Sequence, residues 1–302
     1  MPQTMFKVAL AASSLLACMA PALAQAAPLP GPVADMIDAA SGDPAALKAV
    51  VEAAKKTNPD SVAEIDAQVA GLAAKAEADK TARLASQSFF EGWSGEGEVG
   101  GSISTGNTSD RGLALGLGFA KESLRWRHSI DLAVDYQKTE GDLTKERYFA
   151  GYQGAYKFNE RLYVVGVLSA ERDKFAGFKS RFTEGLNLGY LVIDDPNLRF
   201  SLEAGPAFRQ TSYYLEGDDS DLTGRVAGDL AWTIRPDTVF TQTAAAYLAS
   251  SNSTITATTA ITTKLMGDLS GRASFEIRYE TDPPLGREDT DTTSRVTMVY
   301  SF

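Results

Sequence analysis

From Ser94 to Phe302 the chain alternates apolar with polar or small residues at period two, interrupted by short polar segments. Period two is the mark of a β-strand with two unlike faces. Twelve such strands are predicted: 94–105, 112–120, 125–137, 147–158, 162–172, 182–193, 198–213, 222–234, 239–250, 254–266, 271–280 and 292–302. In the strand from Leu198, Leu198, Phe200, Leu202, Ala204, Pro206 and Phe208 share one face, while Arg199, Glu203 and Arg209 share the other. Trp126, Ile130, Leu132, Val134 and Tyr136 likewise oppose Arg125, Arg127, Asp131 and Asp135. Phe275, Ile277 and Tyr279 oppose Arg272, Glu276, Arg278 and Glu280. In the segment 112–119, Gly112, Gly116 and Gly118 alternate with Leu113, Leu115, Leu117 and Phe119, so small inward residues leave space for long charged chains opposite.

Before residue 89 the pattern differs. Residues 25–88 are rich in Ala, Lys, Glu and Asp, with apolar positions at helical spacing. Asp43 with Pro44 opens a first helix carrying Leu47, Val50, Val51 and Ala54, and Thr57-Asn58-Pro59 stops it. Ser61 with Glu64 forms a capping-box pattern before a second helix with Ile65, Val69, Leu72 and Ala76. The expected product is a thin, Ala-rich helical hairpin that serves as a spacer, as a periplasmic plug or as an arm for a periplasmic partner.

The connections between strands alternate in kind. Tight turns are expected at 121–124, 159–160, 194–197, 235–237 and 267–270, and generally longer polar loops at 106–110, 139–145, 173–179, 215–221, 251–253 and 281–291. Such asymmetry belongs to outer-membrane barrels, whose turns are short on the periplasmic side. Aromatics cluster near strand ends, at Trp93, Trp126, Tyr148, Phe158, Tyr163, Phe182, Tyr190, Trp232, Phe240 and Tyr300, as two interfacial girdles would require. The last strand runs to the carboxy-terminal Phe302. Chains ending this way resemble bacterial outer-membrane β-barrels, whose final strand closes the barrel and is read by the barrel-assembly machinery. The fold class expected is all-β, an antiparallel transmembrane β-barrel of about 12 strands with a short N-terminal α-helical segment. A soluble sandwich, with the same apolar faces turned to a shared core, is the competing arrangement.

Composition agrees with export. Lys7, the apolar Val8–Ala17 run and Ala22-Leu23-Ala24 read as a secretory signal over residues 1–24. Leu15-Leu16-Ala17-Cys18 also resembles a lipoprotein box, which would place a lipid on Cys18. Cleavage after Ala24 removes Cys18, the sole cysteine, and with it thiol chemistry and Cys-based metal sites. The domains expected are thus residues 1–24 as signal, 25–88 as helical periplasmic segment and 89–302 as barrel. Without Lys7 the charged side chains number 28 basic against 39 acidic, a net −11, and no basic stripe for nucleic acid is present. Beyond the signal no apolar run reaches the eighteen residues of a membrane-spanning helix, which leaves a barrel as the one way across a bilayer.

Candidate functional residues lie on the charged faces. Arg125, Arg127, Asp131, Asp135, Arg199, Glu203, Arg225, Asp229, Arg272, Glu276, Arg278 and Arg295 are expected to line the lumen and set its selectivity, with Glu96, Glu98, Arg147, Lys157, Arg209 and Glu280 beside them. Both signs occur, so they can brace the lumen by pairing or line a narrow polar conduit. The single histidine, His128, shares a face with Trp126 and Ile130, where a lipid-facing hydrolase would need a serine two residues on. No catalytic residue, metal set or cofactor is expected, and the acidic loop Gly217–Asp221 lacks the ligand series of an EF-hand.

The stretch Gly100-Gly101-Ser102-Ile103-Ser104-Thr105-Gly106-Asn107-Thr108 resembles the first hairpin of a bacterial family of unknown function, described as salt-induced outer-membrane proteins. The resemblance covers roughly residues 90–302 and implies an outer-membrane barrel, with no functional residue to carry over. The function expected is a structural barrel or a small-solute or ion conduit in salt and osmotic adaptation of the envelope. An outer-membrane enzyme acting on lipid or peptide, or a loop-mediated receptor or adhesin, is the alternative. Expected partners are outer-membrane lipid and lipopolysaccharide, the assembly machinery, and a periplasmic partner for residues 25–88.

Overall fold

The computed structural model describes residues 28–105, 110–139, 142–215, 217–284 and 286–302. The segment expected to be a secretory signal, Cys18 and part of the Gly100–Thr108 motif lie outside them. The chain divides into two compact units, residues 1–80 and 81–302.

In the first unit, helices α1 (Gly31–Ala40), α2 (Pro44–Thr57) and most of α3 (Val62–Ser86) gather around Ile37, Ala54 and Ile65. Asp43 caps α2 by accepting hydrogen bonds from the Ala45 and Ala46 amides at 2.8 and 3.2 Å. Glu64 accepts a hydrogen bond from the Leu29 amide, and Gln68 donates to the Ala34 carbonyl at 3.0 Å and to Asp38 at 2.7 Å. The third helix, α1, is an addition to the expected pair. Its Gly31-Pro32 opening and short length gave it no periodic signature, and Ile37 is fixed by contact with residues 17 and 28 positions away.

The second unit is a closed ring of twelve antiparallel strands, each paired with its sequence neighbour and the last with the first. They are β1 (Trp93–Thr105), β2 (Asp110–Glu122), β3 (Trp126–Thr139), β4 (Asp142–Lys157), β5 (Leu162–Asp173) and β6 (Phe178–Asp195). The ring continues with β7 (Leu198–Tyr213), β8 (Asp218–Arg235), β9 (Thr238–Leu248), β10 (Thr254–Met266), β11 (Leu269–Glu280) and β12 (Thr290–Ser301). Closure leaves no free edge, the condition for a sheet in a medium that cannot hydrogen-bond to the backbone.

The expected alternation holds face by face. Leu186, Leu188 and Phe182 of β6 are more than half exposed on the outer wall, whereas Arg181, Thr183 and Asn187 at alternate positions are buried in the interior. Glycines of β2 make room for acids of β1: a Cβ on Gly116 would lie 2.6 Å from the Glu98 side chain, and one on Gly118 would lie 3.2 Å from Glu96. Tyr163 departs from expectation. Its ring points inward over Gly189, where a Cβ would approach it to 2.2 Å, so it belongs to the interior and not to a girdle.

Turn chemistry fixes the end where the barrel starts and finishes. Asn159 accepts hydrogen bonds from the Arg161 and Leu162 amides at 2.9 and 2.8 Å, and Gly267 takes φ +53° between β10 and β11. At the opposite end the strands run further than expected. Only residues 174–177 and 214–217 separate two of the pairs; β9 is the exception, stopping at Leu248, two residues short of the expected end, so that 249–253 separates it from β10, and 281–289 is the long loop among the described residues. Asp173 accepts hydrogen bonds from the amides of Phe175 and Ala176 at 3.0 and 2.9 Å, and Gly177 at φ +93° completes that tight reversal. The polar composition of these segments concealed strand, because above the apolar band the outer face has no oil to alternate.

Phe302 completes the seam. Its amide donates to the Gly95 carbonyl at 2.9 Å, its carbonyl accepts from the Gly95 amide at 2.8 Å, and its ring covers Gly95 beside Phe119. Removing Phe302 forfeits two hydrogen bonds, together about 1–3 kcal/mol. Urea unfolding in detergent micelles is expected to show that loss, with the folded, heat-modifiable gel band melting at lower temperature; an unchanged unfolding midpoint would contradict the seam's role.

Candidate functional site

Inward charges from non-adjacent strands meet in the half of the barrel nearer the loops. Arg278 of β11 donates to Glu171 of β5 at 2.9 Å, joining strands six places apart in either direction round the ring. Arg147 of β4 reaches the same Glu171 at 2.7 Å and Asp135 of β3 at 3.3 Å. Arg295 of β12 pairs with Asp135 and with Glu276 at 3.1 Å each. Arg181 of β6 spans the lumen to Glu280 at 3.0 Å, and Arg278 approaches Glu280 at 3.4 Å. These contacts form a continuous belt across the interior. Phe178, wholly buried, packs against it, with the Arg181 and Arg278 guanidiniums 4.2 and 5.5 Å from its ring centre.

Below the belt lies a cavity of about 670 Å³. Arg127, Asp131, Arg209, Arg225, Asp229 and Glu203 contribute to its wall. Arg225 donates to Glu203 at 2.8 Å, and the Tyr163 hydroxyl donates to the same carboxylate at 3.0 Å. Arg127 lies 5.0 Å from the Tyr163 ring centre, and Arg209 lies 4.4 Å from that of Tyr247 while donating to Thr254 at 2.8 Å. Among the described residues, Asp131, Asp229, Arg127 and Arg209 form no ion pair, so the cavity offers two acids and two bases to a visitor. Nearer the turns, Arg272 holds Glu96 and Glu98 at 3.0 Å each, which strings β11 to β1 across β12.

Of the twelve residues predicted to line the lumen, ten face this interior network or cavity. Arg125 does not: it sits in the turn before β3 and donates to the outward Tyr156 hydroxyl at 3.1 Å, because the strand begins at Trp126. Arg199 has the inward parity but stands at the turn-end rim, 58% exposed and 3.4 Å from Asp194, outside the cavity wall. Glu171 and Arg181, two central members of the belt, were not singled out by sequence. Arg181 fell just before the expected start of its strand at Phe182, and Glu171 is distinguished only by partners on distant strands.

On the outside at the turn end, Lys121 is buried and donates to the carbonyls of Ser88, Phe89 and Glu91 at 2.5, 2.8 and 2.7 Å. Hydrogen bonding from Ser88 holds the Glu91 carboxyl below the usual carboxylate range. His128 is stacked on Trp126 at 5.7 Å, with Nδ1 2.9 Å from the Tyr152 hydroxyl, an interfacial aromatic setting.

Residues 97–302 match the model of a family described as "Protein of unknown function, DUF481". The chain belongs to this family. In curated sequence it is similar to the uncharacterized protein YdiY of Escherichia coli strain K12, with 22% identity over 160 residues, 53% of this chain and 63% of that protein. The match therefore spans less than two thirds of the relative's length. Among solved structures it is similar to the NanC porin, with 13% identity, a TM-score of 0.49 and coverage of 68% of this chain and 98% of that one. It is also similar to an outer membrane channel from Pseudomonas putida F1, with 10% identity, a TM-score of 0.44 and coverage of 70% and 97%. The family match begins at Gly97, so the helical unit of this DUF481 member lies outside it.

Breaking a desolvated ion pair leaves an uncompensated charge and costs about 3–5 kcal/mol, whereas an exposed pair contributes under about 1 kcal/mol. Glu171→Ala is thus expected to lower the unfolding free energy several-fold more than Arg199→Ala in urea titrations; equal effects would show that the belt is not a stabilising network.

Proposed function

We propose that the protein is an exported outer-membrane β-barrel that forms a narrow, charge-lined conduit for small solutes or ions, used in adapting the envelope to salt. The observation that carries this reading is the charged cavity beneath a single constricting belt, inside a ring whose outer wall is apolar. An apolar exterior, girdles of Trp and Tyr, and closure by a terminal aromatic are what a bilayer asks of a barrel and what the assembly machinery reads. On this reading the turns and the helical unit face the periplasm, where the latter acts as a spacer or meets a partner. Two acids and two bases free in the cavity favour weak ion selectivity, with the belt limiting the size of what passes.

A purely structural barrel is the second reading, and it is favoured by the Arg278–Glu171 bridge between opposite strands. An enzyme on the outer wall draws less support, since the Nδ1 of His128 is engaged by Tyr152.

Planar-bilayer recording separates the first two. The wild-type protein is expected to give small single-channel steps, the charge-balanced Arg278→Ala/Glu171→Ala variant larger ones, and Asp131→Asn/Asp229→Asn a shift of reversal potential toward anions. Silence from both wild type and the belt variant would reject the conduit in favour of the structural barrel.

A further inference from the structure

The outer wall is not uniform. Along β4 and β5 the outward residues Ala150 and Ala170 are small, and they lie between Leu132 of β3 and Phe182 of β6. The result is a groove made of two adjoining hollows of about 850 and 620 Å³, which share these four residues. An apolar hollow of this size in a lipid-facing wall fits acyl chains.

The groove's ends carry unlike chemistry. At the loop end, Arg172 and Lys179 line it and Lys174 stands close by in the turn between β5 and β6. All three are exposed, and among the described residues none is in an ion pair; Lys179 lies 5.6 Å from the Tyr214 ring centre and Lys174 5.9 Å from that of Phe175. Elsewhere this end is acidic, with Asp218, Asp219, Asp282 and Asp289 exposed. Three clustered cations on a chain of net charge −10 thus mark one sector of the rim. Glu146 also faces outward there, two residues beyond Tyr148 on β4.

Deeper in the groove, Glu184 and Gln210 point outward beside Phe208. A carboxylate facing hydrocarbon is costly unless a donor reaches it. Ester-linked phospholipids bring carbonyls but no donors to that depth. A glycolipid with amide-linked, hydroxylated acyl chains brings both N–H and O–H groups.

We propose that this groove is a binding site for the phosphorylated, multiply acylated glucosamine lipid of the outer leaflet. Its phosphate is held by Arg172 and Lys179, its chains lie over Ala150 and Ala170, and its amide or hydroxyl donors serve Glu184. The inference rests on the outer-membrane reading, with the loop end outward.

The test uses the full chain folded in detergent and native mass spectrometry with three probes: bisphosphorylated lipid A, the same lipid without phosphates, and phosphatidylglycerol. Bisphosphorylated lipid A is expected to remain bound, with Arg172→Ala/Lys179→Ala weakening it about tenfold or more and the turn-end control Arg161→Ala leaving it unchanged. Glu184→Leu is expected to weaken it as well. Heat-modifiable gel migration verifies that each variant is folded. Equal retention of phosphatidylglycerol or of the phosphate-free lipid, or undiminished binding by the double variant, overturns the proposal. A chain that folds and inserts into vesicles yet binds no lipid A overturns this inference alone; one that never inserts overturns the outer-membrane reading with it.

Discussion

Closure of the sheet is the constraint on which everything else depends. Each strand edge presents a row of unpaired amides and carbonyls, and a medium without water cannot satisfy them. Pairing of β1 with β12 in register from Glu96–Ser301 to Thr105–Thr292 removes the last edge, and the Gly95–Phe302 bonds carry the seam to the final residue. The fit is close. At Gly100 a Cβ would stand 2.1 Å from the Val296 carbonyl oxygen, so the seam depends on a residue without a side chain. Once the ring is closed, each strand has one face outside and one inside, and the two faces of the sequence acquire their separate tasks.

The inside task is electrostatic. A ring of twelve strands encloses more space than ordinary side chains fill, so long arginines and carboxylates cross it and meet partners on other strands. Pairing does not make such charges cheap, but it makes removal of any one of them expensive. Asp135 accepts from both Arg147 and Arg295, and Glu171 from both Arg147 and Arg278, so each carboxylate couples three strands. The belt that braces the barrel is therefore also its constriction. On the conduit reading, stability and permeability would be set by the same contacts, and a change that widens the lumen would be a change that loosens the wall.

Much of this was legible in the residues. Period-two alternation in Leu198–Phe208 and Leu113–Phe119 defined strands and faces, because their outward positions are apolar or small irrespective of tertiary detail. The Asp43-Pro44 cap and the stop at Asn58-Pro59 were equally local. What escaped was set by distant partners or by polarity at both faces. Arg181 and Phe178 sit where β6 rises above the apolar band, so Phe178 read as loop and Arg181 was left outside the strand. Tyr163 had the aromatic character of a girdle, and only the space above Gly189 turns it inward. Ion-pair partners six strands apart leave no spacing signal in the chain, so the belt's membership, unlike its composition, required three dimensions.

A spin-label scan along β10 tests the central claim of a closed, lipid-embedded ring most directly, since its inward residues Thr256, Thr258, Ala260 and Thr262 are neutral and lie outside the belt's ion pairs. In lipid vesicles, labels at Ile255, Ala257, Thr259 and Ile261 should be relaxed strongly by oxygen and weakly by a water-soluble nickel chelate, while the intervening inward positions should show low oxygen accessibility. Loss of that two-residue alternation, or outward labels as open to the nickel chelate as a soluble protein's surface, would contradict it.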